Sequence, residues 1–219
     1  MVRVAELLTA LTAFLTAAVV AQTSSTSKQQ PMGVYTRAET LFGGDLWGPP
    51  SQWTPVTDAV RGGSSTAALD ILNQTARFSG TLDTSTLGGA GFASVRRYVD
   101  FDLSLFTGIR VVVAKADGMR YAINLKNSQQ ERRPDGRLEA SVEFKYNFET
   151  RNSSSPQVFD APFTAFKPYY RGREVTDPSK MPKLDLSNIQ VFSIMIQSYF
   201  DAQKGNYNIV FDSIAAIGE

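Results

Sequence analysis

Four groups of residues have types and spacings that could do chemistry. Phe92, Ser94, Arg96 and Tyr98 alternate through "FASVRRY". If that run is extended, all four share one face, because side chains alternate along a strand with period two. Aromatic, hydroxyl and guanidinium groups on one face suit recognition of a polar planar or sugar-like group. The same face could instead lie under a loop, with Arg96 paired to a carboxylate such as Asp58. In Arg61-Gly62-Gly63-Ser64-Ser65, successive amides could hold an anion or a glycan hydroxyl. Glycines there would equally serve a bulge or turn. Tyr169, Tyr170, Arg171 and Arg173, just after Pro168, have the composition of a binding hot spot. The alternative is arginines that hold strand ends. Asp100, Asp102 and Asp117 are oxygen donors of the type calcium takes, but no EF-hand spacing is present and no metal is expected.

The missing residue types exclude more. The 219 residues contain no cysteine and no histidine. Thiolate nucleophiles, disulfides, thiolate metal sites and imidazole bases are therefore out, and so is a histidine-dependent serine triad. Carboxylates, lysine, tyrosine or an oxygen-held metal remain. No motif pairs two carboxylates, so we expect a non-enzymatic protein without a cofactor. Gly89-Ala90-Gly91 falls short of a dinucleotide fingerprint, since Ser94 stands where the third glycine belongs and no helical pattern follows. Those glycines fit a tight turn or bulge ahead of a strand. Lys and Arg total 22 against 21 Asp and Glu, with no basic stripe, so nucleic acid is not an expected partner.

The elements that must position these groups read as strands. Ala140–Glu149 places apolar residues at every second position, as a half-buried strand does. Ala76–Leu82 and Phe92–Phe101 alternate in the same way. Ile109–Lys115 and Tyr121–Lys126 flank Asp117-Gly118, which predicts a hairpin. Val191–Ile196 and Tyr207–Ile214 flank a turn at Gln203-Lys204-Gly205. No long helical stripe interrupts them, so the fold class is all-β, a mostly antiparallel sandwich or jelly roll. Ahead of these strands, residues 1–21 carry one early arginine, an apolar run and a small-residue ending. They read as a secretory signal peptide, too short for a stable membrane span. Met32 offers an alternative start, which would make the protein intracellular, in cytoplasm or mitochondrion. Residues 22–40 read as a flexible linker and 41–219 as one domain. Asn73-Gln-Thr75 and Asn152-Ser-Ser154 are sequons, so both asparagines are glycosylation candidates in a secreted chain.

Five segments, in order, carry a family resemblance. They are Trp53 with "VTDAVRGGSS", "ARFSGTL", "GGAGFASVRR", "DLSLFTGIRVVVAKADGMRYAINLK" and "APFTAFKPYYRGREV". Together they resemble the complex I intermediate-associated protein 30 family, in its compact fungal form. The resemblance implies a galactose-binding-like jelly roll. It also implies a non-enzymatic protein-binding role like that of the mitochondrial complex I (NADH:ubiquinone oxidoreductase) assembly factors, with a protein partner. The amino terminus points instead to a secreted module, for which a glycan is the alternative partner.

Overall fold

The computed structural model describes residues 37–134, 136 and 138–218. The segment read as a signal peptide lies outside them, as does most of the linker. The exception is its end, because β1 (Arg37–Gly43) begins four residues ahead of the expected domain start.

Among the described residues, fourteen strands pair antiparallel throughout and form two sheets. The first sheet runs β10 (Gln157–Pro162), β6 (Gly108–Asp117), β14 (Gly205–Gly218), β4 (Thr75–Leu82) and β3 (Ala68–Leu72). β1 pairs along β14, and β9 (Asn152–Ser153) pairs the end of β6. The second sheet runs β12 (Arg173–Glu174), β11 (Lys167–Tyr170), β8 (Glu143–Glu149), β7 (Arg120–Lys126), β13 (Ile189–Gln197), β5 (Phe92–Phe101) and β2 (Thr54–Thr57). This is the antiparallel β-sandwich expected from the alternating sequence.

The inner faces meet in one core. Phe78, Tyr121, Ile123, Phe148, Ile194 and Phe211 belong to it, each at the apolar position of its strand. Phe42, Trp47 and Trp53 close one end, with ring centroids 5.1–6.1 Å apart. Such aromatic pairs add about 1 kcal/mol each beyond their buried area. Arg97 fastens this plug. Its Nη1 donates to the carbonyls of Leu46 and Trp47, and its guanidinium lies over the Phe42 ring. The two arginines of "SVRR" therefore serve opposite faces, Arg97 inward and Arg96 outward.

Two expectations change. Asp117-Gly118 does not close a hairpin, because β6 and β7 lie in different sheets. The turn is local chemistry and forms as predicted, with Gly118 at φ +90° and the Met119 amide donating to Asp117. Pairing is decided elsewhere, since β10 and β14 already occupy the edges of β6. The long strand also starts at Glu143 rather than Ala140.

Candidate functional site

The outer face of the second sheet is unusually buried and polar. Register aligns Thr54, Arg96, Ser193, Asn124, Lys145 and Lys167 in one row across six strands. At about 4.8 Å per strand, Arg96 and Lys145 are anchored roughly 14 Å apart. The neighbouring row brings Ser94, Met195 and Ala122 together, and on the other side Tyr98 and Val191 lead to Lys126. Met195, Ala122 and Val191 are buried yet stand outside the core cluster.

The polar groups of this face are held tightly and not fully satisfied. Lys145 is 2% exposed. Its Nζ donates to Gln197 Oε1 at 3.0 Å, pairs with Glu143 at 3.3 Å and lies over the Tyr169 ring. Lys126 is 8% exposed and donates to the Ser141 hydroxyl at 3.1 Å. Burial holds its pKa below the usual lysine value; Glu143 opposes this, while Arg96 and Lys145 add to it. Arg96 donates from Nη1 to Gln130 Oε1 and stacks its guanidinium over Tyr98, but its buried Nε has no acceptor. Asn124, 1% exposed, donates to the Met195 sulfur, and its Oδ1 receives no donor. Most buried polar atoms in a protein are paired, so two unpaired atoms in one row mark this face.

Phe92, Ser94, Arg96 and Tyr98 share the expected face of β5. The pairing of Arg96 with Asp58 does not occur. Asp58, 1% exposed, instead organises the Arg61–Ser65 loop. It accepts from the Ser65 amide at 3.0 Å, the Ser65 hydroxyl at 2.5 Å and the Phe92 amide at 3.2 Å. Gly62 takes the left-handed conformation at φ +86°. A Cβ on Gly63 would fall 2.3 Å from Asp58 Oδ1. The loop thus cradles an anion, and the anion is its own Asp58. Ser64 hydrogen-bonds with Thr86, and Arg61 is exposed.

Tyr170, Arg171 and Arg173 sit on the β11–β12 hairpin, with Arg171 against the Tyr170 ring. Three strands, β8, β7 and β13, separate them from Arg96, so the two groups lie near opposite edges of one sheet. Gly89 sits in a turn at φ +92°, whereas Gly91 permits a close approach, since a Cβ there would meet the Asp83 carbonyl at 2.1 Å. Among the described residues, no cluster of three or more acidic, His or Cys side chains could hold a metal, so Asp100, Asp102 and Asp117 are not brought together. Asp117 accepts instead from the Tyr121 hydroxyl and the Asn208 amide. Asn124, Lys126, Lys145 and Ser193 are not marked by the sequence. Their signal was polar residues at alternate positions of strong strands, which ordinarily denotes a solvated face.

This is an antiparallel β-sandwich carrying a polar, cation-rich face on its second sheet. The chain belongs to the complex I intermediate-associated protein 30 family, whose model matches residues 45–211. An uncharacterized protein of Schizosaccharomyces pombe is 40% identical over 185 residues, covering 78% of this chain and 83% of the relative. Among solved structures, the family 11 carbohydrate-binding module of a cellulosomal cellulase from Clostridium thermocellum superposes with TM-score 0.56 at 20% identity, covering 85% of this chain and 97% of that one. A complex of that module type with a mixed-linked tetrasaccharide gives 0.51 at 20% identity, covering 76% and 89%. These likenesses show the shared sandwich fold and leave function to the site.

Proposed function

We propose that the chain is a non-catalytic polypeptide-binding module that lays its partner across the outer face of the second sheet. The observation that carries this is the Arg96–Ser193–Asn124–Lys145 row, with the Arg96 Nε and Asn124 Oδ1 unpaired. A strand-like segment offers donors and acceptors at regular intervals, which suits such a row. The family's name, with its reference to a complex I intermediate, supports an assembly role with a protein partner. The non-catalytic reading is supported by the carboxylates around the face. Glu143, Glu149 and Glu174 pair with Lys145, Arg120 and Lys167 in turn.

A carbohydrate-binding module is the second reading. The free Asn124 oxygen favours it, since a sugar hydroxyl could donate there. Against it, the tyrosine rings near the face already lie on cations: Tyr98 on Arg96, Tyr169 on Lys145 and Tyr199 on Arg120. Sugar recognition depends on open aromatic platforms. A photo-crosslinking residue at exposed Tyr98, introduced in the native host, tests the choice. A discrete polypeptide adduct is expected. Absence of any adduct, together with selective signals on a glycan array, would overturn the reading in favour of the second.

A further inference from the structure

We propose that the partner engages this face through an acidic side chain, whose carboxylate is received between Lys126 and Arg96. This rests on the polypeptide-binding reading above. Lys126 is more than nine-tenths buried, and its ammonium has three donors. The Ser141 hydroxyl takes one. No ion pair to a carboxylate is formed by Lys126 among the described residues, and the nearby Glu143 pairs with Lys145 instead. A buried ammonium without an ion pair of its own is costly; Glu143 offsets part of that cost from its place on Lys145, while Arg96 and Lys145 add like-charge repulsion.

The contacts at these two cations are neutral. Gln130 Oε1 stands at Arg96 and Ser141 Oγ at Lys126. A carboxylate in their place would make charge-assisted bonds, roughly twice as strong. With Gln130 displaced, it would also supply the acceptor that the buried Arg96 Nε lacks. Asn124 Oδ1 is the complementary cue. An unpaired acceptor takes no carboxylate; it requires an N–H, which the backbone of an acidic residue carries next to its side chain. One acidic residue of a polypeptide therefore answers both demands.

The test uses the full chain and three probes: capped hexaglutamate, capped hexaglutamine and hexagalacturonate, titrated calorimetrically at low salt. Hexaglutamate is expected to bind at least about tenfold tighter than hexaglutamine, the factor a charged hydrogen bond supplies. Lys126→Met is expected to erase that preference, and Lys126→Arg to keep most of it. The thermal midpoint of Lys126→Met should equal or exceed that of the native chain, because removing a buried charge that has no ion pair of its own relieves the fold. Equal binding of both peptides would overturn the acidic anchor while leaving the polypeptide reading standing. Preference for hexagalacturonate would overturn both. Absence of hexaglutamate binding, or a large fall in the Lys126→Met midpoint, would show that the ammonium is satisfied within the fold and would overturn the proposal.

Discussion

Asp58 accepts three hydrogen bonds while almost wholly out of water, from the Ser65 amide and hydroxyl and from the Phe92 amide. Converting one carboxylate oxygen to an amide would set a donor against donors. Asp58→Asn should therefore cost about 3 kcal/mol, the scale of an unsatisfied buried group with a lost charged bond. Urea unfolding reads it directly, and a loss under about 1 kcal/mol would mean that the loop does not depend on this carboxylate. Lys126 gives a pH-dependent counterpart. Its pKa in the folded chain is held below the usual lysine value, chiefly by burial. Between that lowered value and the unfolded value near 10.4, the unfolded chain binds more protons than the folded one. Stability from this group thus rises with pH in that window, and below it the buried ammonium is a cost. Native stability should gain on that of Lys126→Met as pH rises from about 7 toward 10. Above about pH 10 that difference levels off, while both proteins lose stability, because burial raises the pKa of Tyr121 and Tyr207 and the unfolded chain loses those protons first.

The loop between β13 and β14 runs Tyr199, Phe200 and Asp201 through left-handed backbone at φ +48°, +57° and +71°. Each non-glycine residue in that region costs about 1 kcal/mol or more. Neighbours hold the loop there. Ser198 donates to the Gly91 and Gly89 carbonyls, the Asp201 amide donates to Gly89, and the Thr84 hydroxyl donates to Asp201. Phe200 itself is 85% exposed. Phe200→Asn should therefore raise stability by up to about 1 kcal/mol, since asparagine tolerates this backbone. A lower melting midpoint would reveal a contact for the ring. This loop also marks where the sequence stops being legible. Gln203-Lys204-Gly205 announces a turn, but Tyr-Phe-Asp carries no sign of left-handed backbone, which is imposed by the glycine loop over a hundred residues away. The same limit acts at Asp117-Gly118. Alternation locates β6 and β7, and nothing local says that they part into different sheets. For the site, β5 was readable because its alternation is strict. Lys126 and Asn124 were not, because burial of an outer face is a tertiary property.

At the scale of the whole molecule, the two sheets divide the surface. The proposed binding face belongs to the second sheet, whereas both sequon asparagines fall on the first, Asn73 in a turn and Asn152 on a strand. Asn73 and Gln74 form the two-residue β3–β4 turn with φ +48° and +68°, as a tight hairpin requires, and Asn73 is exposed. Asn152 is exposed on β9, beside β6. An oligosaccharide at either position would project from elements that take no part in the Arg96–Lys145 row. The amino-terminal pattern and the sequons lead to one prediction: the native protein starts at Gln22 and carries sugar on Asn73 or Asn152. Mass spectrometry of the native protein decides it. The layer argument adds that enzymatic removal of the sugar should leave hexaglutamate affinity unchanged. Weaker binding after removal would place the glycan at the site and contradict the division of labour between the sheets. A start at Met1 or Met32 without sugar would reject the secretory route. The partner would then be sought inside the cell, where the complex I role named by the family becomes the first association to look for by pull-down.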